Sequence, residues 1–149
     1  MRLNLGCCDR HFDGFVNVDL FPPADLIADL EQEWPWADSS VNYIIADDVL
    51  EHLPDKVHTM NEAWRVLEHG GEFHLRVPTT SGWGAFQDPT HRSFWTPNDL
   101  LYYEAGKPER ERFGERYGVT ARFAVCGSEH YQIGNHVWYL AALLKAVKS

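Results

Sequence analysis

The sequence predicts an α/β fold built on an open, mostly parallel sheet with an antiparallel closing strand and few helices. Three observations favour it: short apolar runs separated by turn residues, a helix-period stripe between two of them, and polar residues where the runs end. Strands that alternate with helical segments are typical of parallel sheets, whose ligands bind beyond the carboxyl ends of the strands. The length of 149 residues suits one domain, so we expect a single domain over residues 1–149.

The first part of the chain contains the clearest strands. Residues 2–5 and 15–20 are apolar-rich runs separated by a short turn, and both are predicted as strands. Residues 25–30 form a short third candidate. Residues 41–46 are β-branched and aromatic, which predicts the best-defined strand, and they lead directly into Asp47-Asp48.

A helix is predicted over residues 55–67, where apolar residues recur at three- and four-residue steps. Gly70-Gly71 is expected to end this helix, because glycine adopts backbone angles that other residues resist. The next strand is predicted over residues 73–77. Residues 79–96 then form a long loop rich in Gly, Trp, Phe and His, and loops in this position commonly carry binding sites.

The remainder of the chain is less clearly patterned. Residues 98–104 predict a short helix capped by Thr96, and residues 107–116 are dense in charge, as in a solvated helix face or loop. Residues 119–126 and 136–145 are predicted as two closing strands. The apolar run at the end fits a helix equally well, because its length does not separate the two cases.

Charge and hydropathy limit the partners. A formal net charge of −9 repels phosphate backbones, so we expect no nucleic acid and instead a small-molecule substrate or a protein partner. No apolar run is long enough to cross a bilayer and no leader precedes the first strand, so we expect a cytoplasmic protein with no membrane contact. The apolar closing strands also offer an edge at which two copies could pair as a homodimer.

Cysteine and histidine spacing predicts neither a disulfide framework nor a metal site. The chain has 3 Cys, of which Cys7 and Cys8 are adjacent and poorly placed to pair. None of the 8 His falls in a spacing typical of metal ligands.

The residues after the first two strands suit a nucleoside ligand. Gly6 lets the backbone approach a ligand closely, and Asp19 can accept hydrogen bonds from both hydroxyls of a ribose. The three-glycine dinucleotide fingerprint is missing, which disfavours a nicotinamide-dependent oxidoreductase. S-adenosylmethionine is a nucleoside ligand without a pyrophosphate and fits better.

Four stretches of the chain carry a resemblance to a known family. They are Leu3-Asn4-Leu5-Gly6-Cys7, Asn17-Val18-Asp19, Trp34-Pro35-Trp36-Ala37-Asp38-Ser39-Ser40 leading into Tyr43-Ile44-Ile45, and Val49-Leu50-Glu51-His52-Leu53 with Glu62-Ala63-Trp64-Arg65-Val66-Leu67-Glu68-His69-Gly70-Gly71. In this order and spacing they resemble class I S-adenosylmethionine-dependent methyltransferases of the group often called type 11. The resemblance covers about residues 2–78 and implies a Rossmann-like methyltransferase fold with S-adenosylmethionine as cofactor.

The resemblance also implies a set of cofactor-binding residues, namely Gly6, Cys7, Asp19, Leu20, Asp29, Leu30 and Asp47. Gly6 and Cys7 would wrap the methionine part, and Asp19 would hold the ribose. Asp29 and Leu30 would flank the adenine, and Asp47 would lie near the methionine amino group. Family members usually have Gly-Cys-Gly where this chain has Gly6-Cys7-Cys8, so a side chain stands where the backbone is usually bare.

The loop over residues 79–96 contains the candidate catalytic residues. His91 is the candidate base for an acceptor hydroxyl or amine, because imidazole titrates near neutrality, and Asp88 is its candidate partner. The alternative is a loop histidine that is merely hydrogen-bonded to Asp88. Glu51-His52 is expected to be structural. Four aromatic residues either line an acceptor pocket or form a lid on the sheet: Trp83, Phe86, Phe94 and Trp95.

Together these observations predict methyl transfer from S-adenosylmethionine to a small-molecule acceptor. The sulfonium methyl is already activated, so the protein chiefly aligns the acceptor, and no catalytic triad is required. The alternative is a methyltransferase-like domain that binds cofactor or a partner without catalysis, which Cys8 favours. The two hypotheses differ in whether the pocket beyond the fourth and fifth strands is open or is plugged by the loop.

Overall fold

The computed structural model describes residues 1–149 and contains one seven-stranded sheet. The strands are β1 (Arg2–Leu5), β2 (Val16–Asp19), β3 (Leu26–Ile27), β4 (Val41–Asp47), β5 (Leu67–Pro78), β6 (Phe123–Ile133) and β7 (Val137–Ala146). Their order is β3-β2-β1-β4-β5-β7-β6; the first five are parallel, and β7 is antiparallel to both β5 and β6. The predicted Rossmann-like fold, mostly parallel with an antiparallel closing strand, is confirmed.

Helices are few, as predicted. The α-helices are α1 (Lys56–Val66) and α2 (Pro108–Tyr117), and three short 3₁₀ helices cover Leu50–His52, Trp83–Ala85 and Pro97–Tyr102. Asp55 caps α1 by accepting a hydrogen bond from the backbone N–H of His58 at 2.9 Å. Neither α-helix, nor any shorter one, has the length and apolar character needed to cross a membrane.

One face of the sheet is buried and the other is partly open. Leu3, Ile44, Phe73 and Leu144 lie opposite one another across four strands, and each is at most 1% exposed. The residues one position before or after these, such as Tyr43 and Lys145, point to the opposite face of the sheet and are half-buried or exposed. Because strand side chains alternate in direction, the core sits on the first face, where α1 packs against β5.

The end of the predicted helix differs from the prediction. α1 ends at Val66, and Leu67 is already extended, pairs with Val41 and is fully buried. Gly70-Gly71 lies inside β5 instead of ending the helix. Gly70 has φ of +77° at an irregularity of the β4–β5 pairing, where glycine is needed for the bulge. Burial of Leu67 and its pairing with Val41 therefore outweigh the glycine signal.

Other predicted bounds shift without changing the topology. The predicted strands 15–20 and 25–30 shorten to β2 and β3, and the closing strand predicted at 119–126 is β6, which starts at Phe123. The apolar run at the end is a strand, because it forms an antiparallel hairpin with β6. The charged segment 107–116 is helical and corresponds to α2.

Candidate active site

Two cavities lie side by side beyond the carboxyl ends of the parallel strands. The strand-end cavity has a volume of about 640 Å³ and is lined by Gly6, Cys8, Asp19, Leu20, Phe21, Ala28, Asp29, Leu30, Glu31, Asp48, Val49, His52, Leu53, Thr90 and Arg92. The loop cavity has a volume of about 240 Å³ and is lined by Asp48, Glu51, His52, Pro78, Gly84, Gln87, Asp88, His91, Val137 and Tyr139. Asp48 and His52 line both, so the cavities adjoin.

Gly6 forms the floor of the strand-end cavity where β1 turns. Its φ is +61°, and a Cβ atom built at this position would lie 2.6 Å from the Cβ and Cγ2 atoms of Val49. Neither the backbone angle nor the available space accepts a side chain. The backbone at Gly6 therefore lines the strand-end cavity with no side chain in between.

Asp19 ends β2 with its carboxylate fixed by backbone groups. Its Oδ2 accepts a hydrogen bond from the N–H of Cys8 at 2.9 Å, and its Oδ1 accepts one from the N–H of Leu20 at 2.7 Å. Oδ1 also accepts from the N–H of Phe21 at 3.3 Å, so Oδ2, with one donor and two lone pairs, keeps capacity for a further donor such as a ribose hydroxyl.

The loop cavity contains a buried carboxyl group. Glu51 is 2% exposed, and its Oε2 has no hydrogen-bond partner. Burial, and to a smaller extent the nearby Asp48 carboxylate, raises the pKa of Glu51 to about 8 against a backbone hydrogen bond that lowers it.

Two imidazole rings face Glu51. The Nε2 atoms of His52 and His91 lie 3.9 Å and 4.0 Å from Glu51 Oε1, and the rings pack edge to face with centroids 4.9 Å apart. The Nδ1 of His91 lies 2.9 Å from the carbonyl oxygen of Ala85, and that of His52 lies 3.2 Å from the carbonyl oxygen of Thr90. A carbonyl only accepts, so in both rings Nδ1 carries the proton and Nε2 presents its lone pair to the cavity.

Backbone hydrogen bonds hold the loop to the helix that carries Glu51. The N–H groups of Arg92 and Ser93 both donate to the carbonyl oxygen of Glu51, at 2.7 and 3.1 Å. The hydroxyl of Ser93 donates to the carbonyl oxygen of Leu50 at 3.0 Å, and it accepts from the indole N–H of Trp95. Trp95 is fully buried, so the position of His91 is anchored in the core.

The sequence has a family match but no curated match. Residues 6–75 match a family described as a methyltransferase domain. A search of the curated proteins finds no match.

Solved structures with the same fold are numerous. A structure from Haloferax volcanii of the Trm112 methyltransferase activator with a methyltransferase has a TM-score of 0.67 and 14% identity, covering 98% of this chain and 82% of that chain. An S-adenosylmethionine-dependent methyltransferase from Archaeoglobus fulgidus has a TM-score of 0.66 and 14% identity, with 96% and 84% covered. A Burkholderia thailandensis 1,6-didemethyltoxoflavin-N1-methyltransferase, with that compound and S-adenosylhomocysteine bound, has a TM-score of 0.59 and 12% identity, with 90% and 61% covered.

Residues 6–75 therefore match a methyltransferase domain, and the chain has the fold of class I methyltransferases. Its cofactor is S-adenosylmethionine, as the sequence predicted. The family match starts at Gly6 and covers β2 and β4, so it includes the strands whose ends form the strand-end cavity.

Five of the seven predicted cofactor residues of the methyltransferase line the strand-end cavity: Gly6, Asp19, Leu20, Asp29 and Leu30. Cys7 lies outside the lining, because its side chain is 2% exposed and is turned toward His11. Burial is the main reason that the pKa of the Cys7 thiol is raised. Its neighbour Cys8 lines the cavity instead, with φ of +48°.

Asp47 also lies outside the strand-end cavity. As the last residue of β4 it forms an ion pair with Arg10 at 3.6 Å, on the strand side opposite that of Ala46. Asp48 follows the strand with φ of +55°, and this left-handed turn directs it to the cavities. Two adjacent aspartates cannot be separated by sequence spacing, because the choice depends on the bend at the strand end.

His91 and Asp88, the predicted catalytic pair, both line the loop cavity, with His91 Nε2 3.6 Å from Asp88 Oδ2. Glu51 and His52 join them there, although they were expected to be structural. The four loop aromatics do not line this cavity: Trp95 is in the core, while Trp83, Phe86 and Phe94 are more than 40% exposed. The loop therefore leaves the cavity open, as the catalytic hypothesis requires.

Proposed function

We propose that the enzyme transfers a methyl group from S-adenosylmethionine in the strand-end cavity to a small polar molecule in the loop cavity. The observation that carries this proposal is that the two cavities adjoin through Asp48 and His52. A volume of about 240 Å³ suits a small acceptor, and its lining of carboxyl, imidazole, amide and phenol groups suits a polar one. The similar structure of the Burkholderia thailandensis 1,6-didemethyltoxoflavin-N1-methyltransferase, which has a small molecule and S-adenosylhomocysteine bound, supports the proposal of a small acceptor.

The proposed cofactor contacts follow from the strand-end cavity. Asp19 holds the ribose hydroxyls, and Asp29 and Leu30 flank the adenine. We assign the methionine ammonium group to Asp48, because its Oδ1 is buried without a hydrogen-bond partner while Asp47 faces Arg10. An ammonium group supplies the donor that this oxygen lacks.

The proposed reaction is a direct displacement. A lone pair of the acceptor forms the new bond to the methyl carbon, the carbon–sulfur bond breaks, and its electron pair stays on sulfur to give S-adenosylhomocysteine. When the acceptor is a hydroxyl or an ammonium group, a proton must also leave. His91 Nε2 presents a lone pair for it, and Asp88 at 3.6 Å stabilises the imidazolium that results.

The cytoplasmic location and the homodimer belong to the same proposal. β6 forms the free edge of the sheet, and residues 126–130 of it are exposed. An unpaired strand edge presents backbone groups that a second copy can bind. Sedimentation equilibrium of the purified chain tests the homodimer, and a monomer over the accessible concentration range contradicts it.

Isothermal titration with S-adenosylhomocysteine tests the cofactor site. We expect the wild type to bind and Asp19→Ala to bind at least about tenfold more weakly, or about 1.4 kcal/mol, because the ribose loses its acceptors. Asp13→Ala is the matched control, since Asp13 is exposed and outside the cavity lining. A folded wild type that binds neither S-adenosylhomocysteine nor S-adenosylmethionine contradicts the assignment.

A further inference from the structure

The loop cavity brings together three ionisable side chains that make no hydrogen bond to one another. The Nε2 atoms of His52 and His91 present lone pairs, and Glu51 Oε1 lies 3.9 and 4.0 Å from them. These distances exceed a hydrogen bond. Glu51 Oε2 is buried and has no partner at all. A cation between these groups would satisfy all three at once.

We propose that the loop cavity binds a divalent transition-metal ion through Glu51, His52 and His91, with Asp88 as a fourth ligand. The three ligand atoms of Glu51, His52 and His91 lie within 4.8 Å of one another. Nitrogen and oxygen ligands at about 2.0–2.2 Å from a zinc-like ion are roughly 3.0–3.6 Å apart. The two distances from Glu51 Oε1, 3.9 and 4.0 Å, must therefore shorten by a few tenths of an ångström, and the widest separation in the cluster, up to 4.8 Å, by up to about 1.2 Å. Asp88 Oδ2 is already 3.6 Å from His91 Nε2.

The ligand set defines the class of ion. Two imidazoles with one or two carboxylates suit Zn²⁺, Mn²⁺ or Fe²⁺, whereas Mg²⁺ and Ca²⁺ prefer oxygen ligands. We therefore expect Zn²⁺ and Mn²⁺ to bind more tightly than Mg²⁺.

The surroundings of the two histidines are those of metal ligands. A ligating imidazole typically donates its other N–H to a carbonyl or carboxylate, which fixes the tautomer and the ring orientation. His91 donates to Ala85 O, and His52 donates to Thr90, whose hydroxyl in turn donates to Asp88 at 2.6 Å. The fourth ligand and the second histidine are therefore linked through Thr90.

The role of the ion rests on the proposed function. An acceptor hydroxyl bound to the ion has a lowered pKa, so its proton leaves to water and its oxygen attacks the methyl carbon. His91 is then a ligand and not a base. The ion also places the acceptor oxygen beside His52, at the boundary with the strand-end cavity.

Calorimetric titration of the chelator-treated full chain with ZnCl₂ and, separately, MnCl₂ tests the site. We expect one ion per chain in the wild type and a loss of at least about tenfold in affinity for His91→Asn and Glu51→Gln. His74→Asn is the matched control, because His74 lies on β5 away from the loop cavity.

Each variant is also titrated with S-adenosylhomocysteine and melted, so that a folding defect is recognised. Loss of metal binding with unchanged cofactor affinity supports the site. Absence of saturable binding to the wild type, or equal affinity in His91→Asn, overturns it and leaves His91 as the proton acceptor. Failure of S-adenosylhomocysteine to bind the wild type overturns the proposed function separately, whatever the metal result.

Discussion

A turn can require glycine because of a positive φ angle or because no space is left for a side chain, and Gly6 and Gly14 allow these two reasons to be compared. Both have positive φ, +61° and +81°, which a side chain resists. Only at Gly6 is space also missing, because Val49 lies against it, whereas nothing lies within 4 Å of a Cβ at Gly14. At Gly6 the close approach of β1 and the segment after β4 therefore adds to the backbone requirement.

Gly6→Ala should destabilise the fold by about 2–4 kcal/mol, from positive-φ strain and overpacking against Val49 together. Gly14→Ala should lose only about 1–2 kcal/mol, because strain acts there alone. Urea denaturation of both variants measures the difference. Equal losses in the two variants would show that contact with Val49 contributes nothing.

The three cysteines should differ in reactivity. Cys7 is buried and its thiol pKa is raised, mainly by burial, whereas Cys8 and Cys126 are exposed. Iodoacetamide should modify Cys8 and Cys126 in the native protein, and Cys7 only after unfolding. Saturating S-adenosylhomocysteine should protect Cys8, which lines the strand-end cavity, and leave Cys126 as the internal control. Peptide mass spectrometry measures the extent of each reaction, and unprotected Cys8 contradicts the placement of the cofactor.

At the scale of elements, α1 fixes the loop that precedes β4. The carboxylate of Glu62, 9% exposed, accepts from the backbone N–H of Trp34 at 2.7 Å and from Arg65 at 2.7 Å. Arg65 also donates to the carbonyl oxygens of Trp34 and Trp36. Both tryptophans are in the core, so this network orders the segment between β3 and β4.

Stability should therefore depend on pH through Glu62. The hydrogen bond from Arg65, followed by that from Trp34, lowers the pKa of Glu62 below its ordinary value, against burial, which raises it. A lowered pKa contributes stability that is present above the unfolded value and is lost as the pH falls through the folded value. Glu62→Gln should lose about 1–3 kcal/mol at pH 7 and much less at about pH 2.

Urea denaturation at both pH values measures this difference. Glu115→Gln is the control, since Glu115 is exposed on α2. An equal loss for Glu62→Gln at both pH values would show that the loss does not come from the charge.

At the scale of the molecule, the strand-end cavity joins segments that are distant along the chain. Its lining runs from Gly6 to Arg92 and includes residues that follow β1, β3 and β4. A ligand in this cavity would contact the segments that follow β1, β2, β3 and β4 at once. Binding is therefore coupled to the folding of the parallel part of the sheet.

S-adenosylhomocysteine at one hundred times its Kd should stabilise the wild type by about 2.7 kcal/mol. For a chain of this length, that raises Tm by roughly 5–10 °C. Asp19→Ala at the same ligand concentration should gain less, because its Kd is higher. Scanning calorimetry with and without ligand measures both shifts, and an identical shift in Asp19→Ala would argue against its contact with the ribose.

The parallel core and most of the lining of the strand-end cavity were predictable because their determinants are local. Apolar runs, the turn at Gly6 and the acid at Asp19 are each read within a few residues. The end of α1 was not predictable from the sequence, because the burial of Leu67 and its pairing with Val41 outweigh the glycine signal at Gly70. That Asp48 lines the strand-end cavity and Asp47 does not was also not predictable, because it depends on a left-handed turn after β4.

The sequence by itself predicted the mostly parallel sheet with its antiparallel closing strand, the family resemblance and the cofactor, since periodicity and motif order follow from the chain alone. Only the tertiary structure placed Glu51 and His52 against His91, which lies in a different loop and is held there by hydrogen bonds to the 3₁₀ helix and by buried Trp95. No spacing along the chain encodes that contact. It arises because parallel strands end at one edge of the sheet, so the segments that follow β4 and β5 meet in space.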